Sequence, residues 1–212
     1  MLYNSCQFKK VIFMEQKEFL DYIEDKPIEI GEDWFYHGTS GDINVIEKIL
    51  NEGIKCAYLR KEKSTQGFNG KYYVSVSKKS DDPKSIYNVY KFWPTFIIDG
   101  VKPIKADIRN QSYQCFRETI IPLRTSYKKD EYHAFLKIDS SKIIAIGYSL
   151  SHMLEPGYRF DIYKLREIKE LILLLEKLER DIPIYDLSSE CEINKEKVKV
   201  LKIEEHLYLN KK

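Results

Sequence analysis

The chain has 212 residues, of which 43% are hydrophobic and 32% are charged, and these proportions are typical of a soluble globular domain. Its 35 basic and 33 acidic residues give a net charge of +2, which argues against nucleic-acid binding through a general excess of positive charge. The four cysteines form no close pairs with one another or with histidine, so we expect reduced thiols and no metal site. Because no secretory signal or membrane-spanning stretch is recognisable, we expect a cytoplasmic protein that binds no membrane, with delivery into another cell as the alternative.

Hydrophobic spacing predicts the order of helices and strands along the chain. Helices are expected at residues 15–25, at 43–52 with Gly53 as the cap, from Asp82 through Tyr87 and Tyr90, and at 162–180. Strands are expected at residues 34–36, 72–77, 95–98, 104–108, 118–123, 132–138, 143–148 and 198–203. Because strands and helices do not alternate regularly, this order predicts an α+β fold and not a doubly wound sheet.

The first candidate functional group follows the predicted strand at residues 34–36, which runs into His37-Gly38-Thr39. An imidazole at the end of a strand can donate a hydrogen bond to a sugar hydroxyl, and a glycine lets a ligand approach the backbone closely. The alternative interpretation of these residues is a purely structural turn.

The second group lies on the predicted strand at residues 72–77, where Tyr73, Ser75 and Ser77 share one face. A tyrosine flanked by small hydroxyls forms a flat wall on which a positively charged heteroaromatic ring can stack. The alternative is a half-buried strand whose tyrosine and serines face water.

The third group is Asp130-Glu131-Tyr132, directly before an apolar strand. A carboxylate at this place can accept a hydrogen bond from a ribose hydroxyl and stabilise the positive charge that develops as a glycosidic bond breaks. The alternative is that Glu131 is an ordinary acidic residue of a loop.

Together and in this order, the three groups resemble the His-Tyr-Glu class of ADP-ribosyltransferases, which includes the diphtheria-toxin and PARP catalytic domains. The similar features are YHGT followed by the helix INVIEKILNEGI, a loop with residues 64–67 before GKYYVSVS, and DEY before a strand and IDSSKIIAIGY. The resemblance covers residues 33–150 as a catalytic core. It implies a split β-sandwich of two small antiparallel sheets with flanking helices. Residues 1–32 would then be an N-terminal helical extension, and residues 151–212 a C-terminal helix and tail that pack on the core or on a partner.

The resemblance also implies an activity. NAD would be the substrate, nicotinamide would be released, and single ADP-ribose units would be transferred to an acceptor, as a toxin or effector enzyme does. The near-neutral charge favours a protein or a small-molecule acceptor over duplex nucleic acid, and of these a protein is expected. Two alternatives are a non-catalytic NAD- or ADP-ribose-binding interaction module and an NAD glycohydrolase. The acceptor and the oligomeric state do not follow from the sequence.

By the same resemblance, His37 holds the adenosine ribose, the backbone of Gly38 binds the nicotinamide amide, and Tyr73 stacks on the nicotinamide ring. Glu131 is the catalytic carboxylate, and Glu118 is its competitor because the strand around it is similar to the acid strand of other transferase branches. The residues assigned to NAD are His37, Gly38, Thr39, Tyr73, Ser77 and Tyr87, with Tyr90 as second choice for Tyr87 and with Ser80 or Ser85 as alternatives to Ser77.

Overall fold

The computed structural model describes residues 21–62, 72–82, 85–91, 93–105, 130–153, 158–160 and 162–201. Within these ranges the chain has a mixed α+β structure, as predicted, built on one nine-stranded and mostly antiparallel sheet. The strands are β1 (Glu24–Pro27), β2 (Phe35–Gly38), β3 (Ile54–Lys55), β4 (Tyr73–Ser77), β5 (Thr95–Ile98), β6 (Ile104–Lys105), β7 (Glu131–Phe135), β8 (Lys137–Ile138), β9 (Ile143–Tyr148), β10 (Ser151–Met153), β11 (Tyr158–Phe160), β12 (Ile184–Asp186) and β13 (Cys191–Ile193). The helices are α1 (Ile43–Glu52), α2 (Ala57–Arg60), α3 (Ile86–Tyr90), α4 (Ile162–Lys177) and α5 (Lys195–Val200), with a short 3-10 turn at Ser140–Lys142.

The large sheet has the strand order β1-β13-β12-β9-β5-β2-β4-β7-β6. Only β12 and β9 run parallel in this sheet, among the strands that the structure describes. Two further pairs, β10 with β11 and β3 with β8, form small separate sheets. β1 belongs to the predicted segment 1–32, and β12 and β13 belong to the predicted segment 151–212. Both segments therefore contribute strands to the same sheet as residues 33–150.

The sheet opens at its centre, between β2 and β4. β2 pairs with β5 along its whole length, from Phe35 opposite Ile98 to Gly38 opposite Thr95. It pairs with β4 only at Tyr36, which lies opposite Ser77. The two strands therefore diverge after Tyr36, and the end of β2 that carries His37 and Gly38 lies beside the opening.

Apolar side chains pack on both faces of the sheet, because successive residues of a strand point to opposite faces. The larger cluster includes Phe96, Ile98 and Ile146 of the sheet together with the buried sides of α1 and α4. The residues that α4 buries there are Leu165, Ile168, Leu171, Ile172, Leu174 and Leu175. The smaller cluster contains Tyr36, Tyr87, Ile97, Ala145 and Leu187.

Several predicted elements are confirmed. α1 occupies residues 43–52, and its cap Gly53 has a positive φ of 82° and donates its N–H to the Ile49 carbonyl at 2.8 Å. β5 and β9 have the predicted bounds, β4 begins one residue later than predicted, and α4 ends at Lys177. The predicted strand at 132–138 is divided into β7 and β8 at Leu136, whose φ is 61°.

Three predicted elements are wrong in type or in bounds. The helix expected from Asp82 begins only at Ile86, after the cap Ser85. The side-chain amide of Asn88 donates to the carbonyls of Ser80 and Asp82, so Asp82 lies before the helix and not in its first turn. The strand expected at 198–203 is instead helical up to Val200, since Asn194 caps α5 by accepting from the Lys197 N–H at 2.9 Å. The N-terminal helix ends at residue 23, where pairing of β1 with β13 takes over.

The predicted strand at 118–123, most of the strand at 104–108 and residues 1–20 lie outside the described residues. Among the helices that the structure does describe, none has the length and apolar character needed to cross a bilayer.

Candidate functional site

Polar side chains meet where β2 and β4 diverge, and His37 is the first of them. Its Nδ1 donates to the backbone carbonyl of Ser75 at 2.8 Å. Burial lowers the pKa of His37 and the Arg60 charge lowers it further, whereas the hydrogen bond to Ser75 opposes this. A carbonyl only accepts, so Nδ1 carries the proton of the neutral ring and Nε2 is an acceptor. His37 is therefore suited to accept a hydrogen bond from a hydroxyl group.

Glu131 lies on the neighbouring strand β7 with only 4% of its surface exposed. The Ser75 hydroxyl donates to its Oε1 at 2.9 Å, and Nε2 of His133 lies 3.3 Å from the same oxygen. The register explains these contacts, because Ser77 lies opposite Glu131 and Ser75 lies opposite His133. Side chains at alternating positions of β4 and β7 therefore form one cluster around the carboxylate.

Tyr90, at the end of α3, covers the other side of Ser75. Its phenol hydroxyl lies 3.3 Å from both the carbonyl and the Oγ of Ser75, and its ring centre lies 5.9 Å from that of His37. Burial raises the pKa of Tyr90 to about 12, so the hydroxyl is a donor at neutral pH. Ser75 thus contacts His37, Tyr90 and Glu131, and it connects all three.

Gly38 packs against the Tyr90 side chain, next to Cβ and the adjoining edge of the ring. A β-carbon at this position would come within 2.7 Å of Tyr90 Cδ1, so the packing of Tyr90 requires a glycine here. The N–H of Thr39 donates to the Pro94 carbonyl at 2.9 Å, which makes Gly38 and Thr95 a non-hydrogen-bonded pair of the ladder. The N–H and C=O of Gly38 consequently point away from β5, toward the opening between β2 and β4.

Tyr73 extends the cluster along β4. Its ring centre lies 5.2 Å from that of His133 and 5.8 Å from that of Phe135, and the latter side chain is 62% exposed. The carboxylate of Glu131 is therefore followed along the sheet by a series of rings that reaches the surface.

The structure separates Tyr87 from this group and keeps Ser77 beside it, opposite Glu131. Tyr87 is 1% exposed and packs edge-on against Tyr36 at 4.7 Å, so Tyr90 and not Tyr87 is the tyrosine beside His37. Ser77 is fully buried, and its Oγ has no hydrogen-bond partner among the described residues. Thr39 is half-buried next to the opening, and Glu118 lies outside the described residues.

His133 belongs to the cluster although the sequence did not indicate it, and Ser75, which was placed in the second group but given no role in NAD binding, lies at the centre of the cluster. Each lies two positions from a predicted residue on the same strand, Ser75 from Tyr73 and His133 from Glu131. The alternation of a strand places such residues on one face, and this was the available signal.

No group of three or more His, Cys, Asp or Glu side chains in the described ranges is arranged to hold a metal ion. No protein-family model, curated protein or solved structure matches the chain.

Proposed function

We propose that this protein binds NAD as substrate and transfers its ADP-ribose to an acceptor, with release of nicotinamide. One observation supports the proposal above the others. His37 of β2 and Glu131 of β7, which are far apart in the sequence, both contact Ser75 at the place where the sheet opens. The halves β9-β5-β2 and β4-β7-β6 would then correspond to the two small sheets of a split β-sandwich, with NAD between them.

Each part of NAD has a suitable partner in this arrangement. Nε2 of His37 would accept from a hydroxyl of the adenosine ribose. The peptide groups of Gly38 point into the opening, so they would bind the nicotinamide amide as donor and acceptor. Tyr90 and Tyr73 would provide the aromatic surfaces that flank the nicotinamide ring.

Glu131 would act on the ribose that is joined to nicotinamide. As the bond between the ribose anomeric carbon and the nicotinamide nitrogen breaks, its electron pair leaves with neutral nicotinamide and the ribose becomes cationic. A carboxylate held by Ser75 and His133 stabilises that charge without having to reorient. The acceptor then forms the new bond to the anomeric carbon and loses a proton to Glu131 or to water.

Incubation of the purified protein with labelled NAD and a cell lysate tests the proposal, with nicotinamide release and incorporation of label followed together. We expect Glu131→Gln to reduce both by roughly 10²–10³-fold, because it removes the charge but keeps the shape. NAD binding should change little. Glu29→Gln, at an exposed position after β1 near the other edge of the sheet, is the matched control. Undiminished transfer by Glu131→Gln would exclude this carboxylate, and Glu118→Gln would then be the variant to examine.

The same experiment distinguishes the transferase from the two alternative functions, an NAD glycohydrolase and a non-catalytic binding module. Nicotinamide release by the wild type without any labelled macromolecule would identify an NAD glycohydrolase. Binding of NAD without release would identify a non-catalytic binding module.

A further inference from the structure

Helix α3, which carries Tyr90, is too short to be stable by its own hydrogen bonds, since it has only five residues. Its first N–H groups are instead bonded by side chains. Ser85 caps it locally by accepting from the Asn88 N–H at 3.1 Å. The two preceding N–H groups, of Ile86 and Tyr87, donate to the two carboxylate oxygens of Asp130 at 3.2 and 2.9 Å.

Asp130 is distant from α3 in the sequence and is only 8% exposed. Its own carbonyl accepts from the Lys78 N–H at 3.1 Å, which ties its backbone to the end of β4. A buried carboxylate that accepts two N–H groups at a helix start makes strong, charge-assisted bonds. The residue before Glu131 therefore determines where α3 lies relative to the sheet.

We propose that Asp130 is a positioning residue, which holds α3 so that Tyr90 lies over Gly38 and beside His37. Tyr90 is one helical turn after Tyr87, whose N–H is bonded to Asp130, and a rotation of α3 would move the phenol away from Ser75. Two adjacent residues thus serve the site in different ways: Asp130 positions Tyr90 through α3, and Glu131 is itself the carboxylate that contacts Ser75. The role in NAD binding rests on the proposed function, whereas the placement of Tyr90 does not.

Two measurements on Asp130→Ala and Asp130→Asn test this inference. The first is the NMR chemical shift of the Gly38 α-protons, which the ring current of Tyr90 displaces because the ring lies directly against Gly38. The second is the separate determination of KM for NAD and of kcat for nicotinamide release. We expect Asp130→Ala to abolish the displacement and to raise KM by about tenfold or more, with kcat within about threefold of the wild type, because Glu131 keeps its contacts. Asp130→Asn retains one acceptor oxygen, so it should restore part of the Gly38 shift displacement and part of the low KM for NAD.

Asn194→Ala is the matched control, because it removes the cap of the remote helix α5 and so lowers stability without touching α3. A KM no higher in Asp130→Ala than in Asn194→Ala, or an unchanged Gly38 shift, would overturn the inference. If the wild type neither binds NAD nor releases nicotinamide, the proposed function fails, while the Gly38 shift still decides whether Asp130 positions Tyr90.

Discussion

At the scale of single residues, Ser75 connects the candidate site, because it contacts three of the other residues in it. The carbonyl of Ser75 accepts from both His37 and Tyr90, and its hydroxyl donates to Glu131. None of these partners is close to Ser75 in the sequence, so each contact joins a different strand or helix to β4. A residue that the sequence presents as one of several small hydroxyls is consequently the one that connects the site.

His37 should make the stability of the protein depend on pH in the acidic range. Because burial lowers its folded-state pKa below the unfolded value of about 6.5, the unfolded chain binds a proton that the folded protein does not. Stability is therefore fully present above about pH 6.5 and is lost as the pH falls toward the folded-state pKa. The free energy of unfolding by urea should fall more between about pH 7.5 and about pH 5.5 in the wild type than in His37→Gln. Equal losses in the two proteins would show that His37 does not carry this dependence.

At the scale of elements, the ends of helices are fixed either by a tertiary contact, as in α3, or by the local sequence, as in α1 and α5. α3 depends on Asp130, as described above. α4 ends in a different way, with the two hydrogen bonds of a Schellman motif: Glu179 N–H to the Glu176 carbonyl at 3.0 Å and Arg180 N–H to the Leu175 carbonyl at 2.9 Å. Glu179, the donor of the first of these bonds, has a φ of 51°, a left-handed conformation that glycine normally provides at this position.

Replacement of Glu179 by glycine should therefore stabilise the protein. The change removes a left-handed conformation that costs roughly 1–2 kcal/mol for a residue with a β-carbon, offset in part by the greater freedom of glycine in the unfolded chain. We expect a net gain of about 0.5–1 kcal/mol in the free energy of unfolding by urea. The control Glu170→Gly, at an exposed position within α4, should instead lose about 1 kcal/mol. A loss in both variants would contradict the assigned end of the helix.

At the scale of the whole molecule, residues 33–150 share their hydrophobic core with the rest of the chain. β12 pairs in parallel with β9, with Ile184 opposite Ile146, and α4 covers the same face of the sheet. Arg180 adds polar contacts, because its guanidinium donates to the carbonyls of Leu50 and Ser140. The C-terminal segment is thus part of the packing on which the candidate site depends.

A fragment of residues 33–150 should accordingly fail to fold by itself. It lacks the α4 residues that cover Phe96 and Ile146, and burial of each such aliphatic side chain contributes roughly 1.5–3 kcal/mol. A stability of the usual size, about 5–15 kcal/mol, cannot accommodate that loss. Circular dichroism during heating should show no cooperative transition for the fragment and a sharp one for the full chain. A cooperative transition in the fragment would identify residues 33–150 as an independent domain.

Local patterns in the chain were sufficient to predict α1 with its Gly53 cap, most of α4, the strands β4, β5 and β9, and the place of His37 and Glu131 at strand ends. These features depend on the periodicity of neighbouring residues and on backbone conformations that few residue types adopt. Tertiary contacts decided that Tyr90 and not Tyr87 lies beside His37, that Ser75 and His133 contact Glu131, and that Asp130 binds the start of α3. They also brought β1, β12 and β13 into the sheet. Such features arise because hydrogen bonds and packing join residues that are remote along the chain, and no local pattern records which partners will meet.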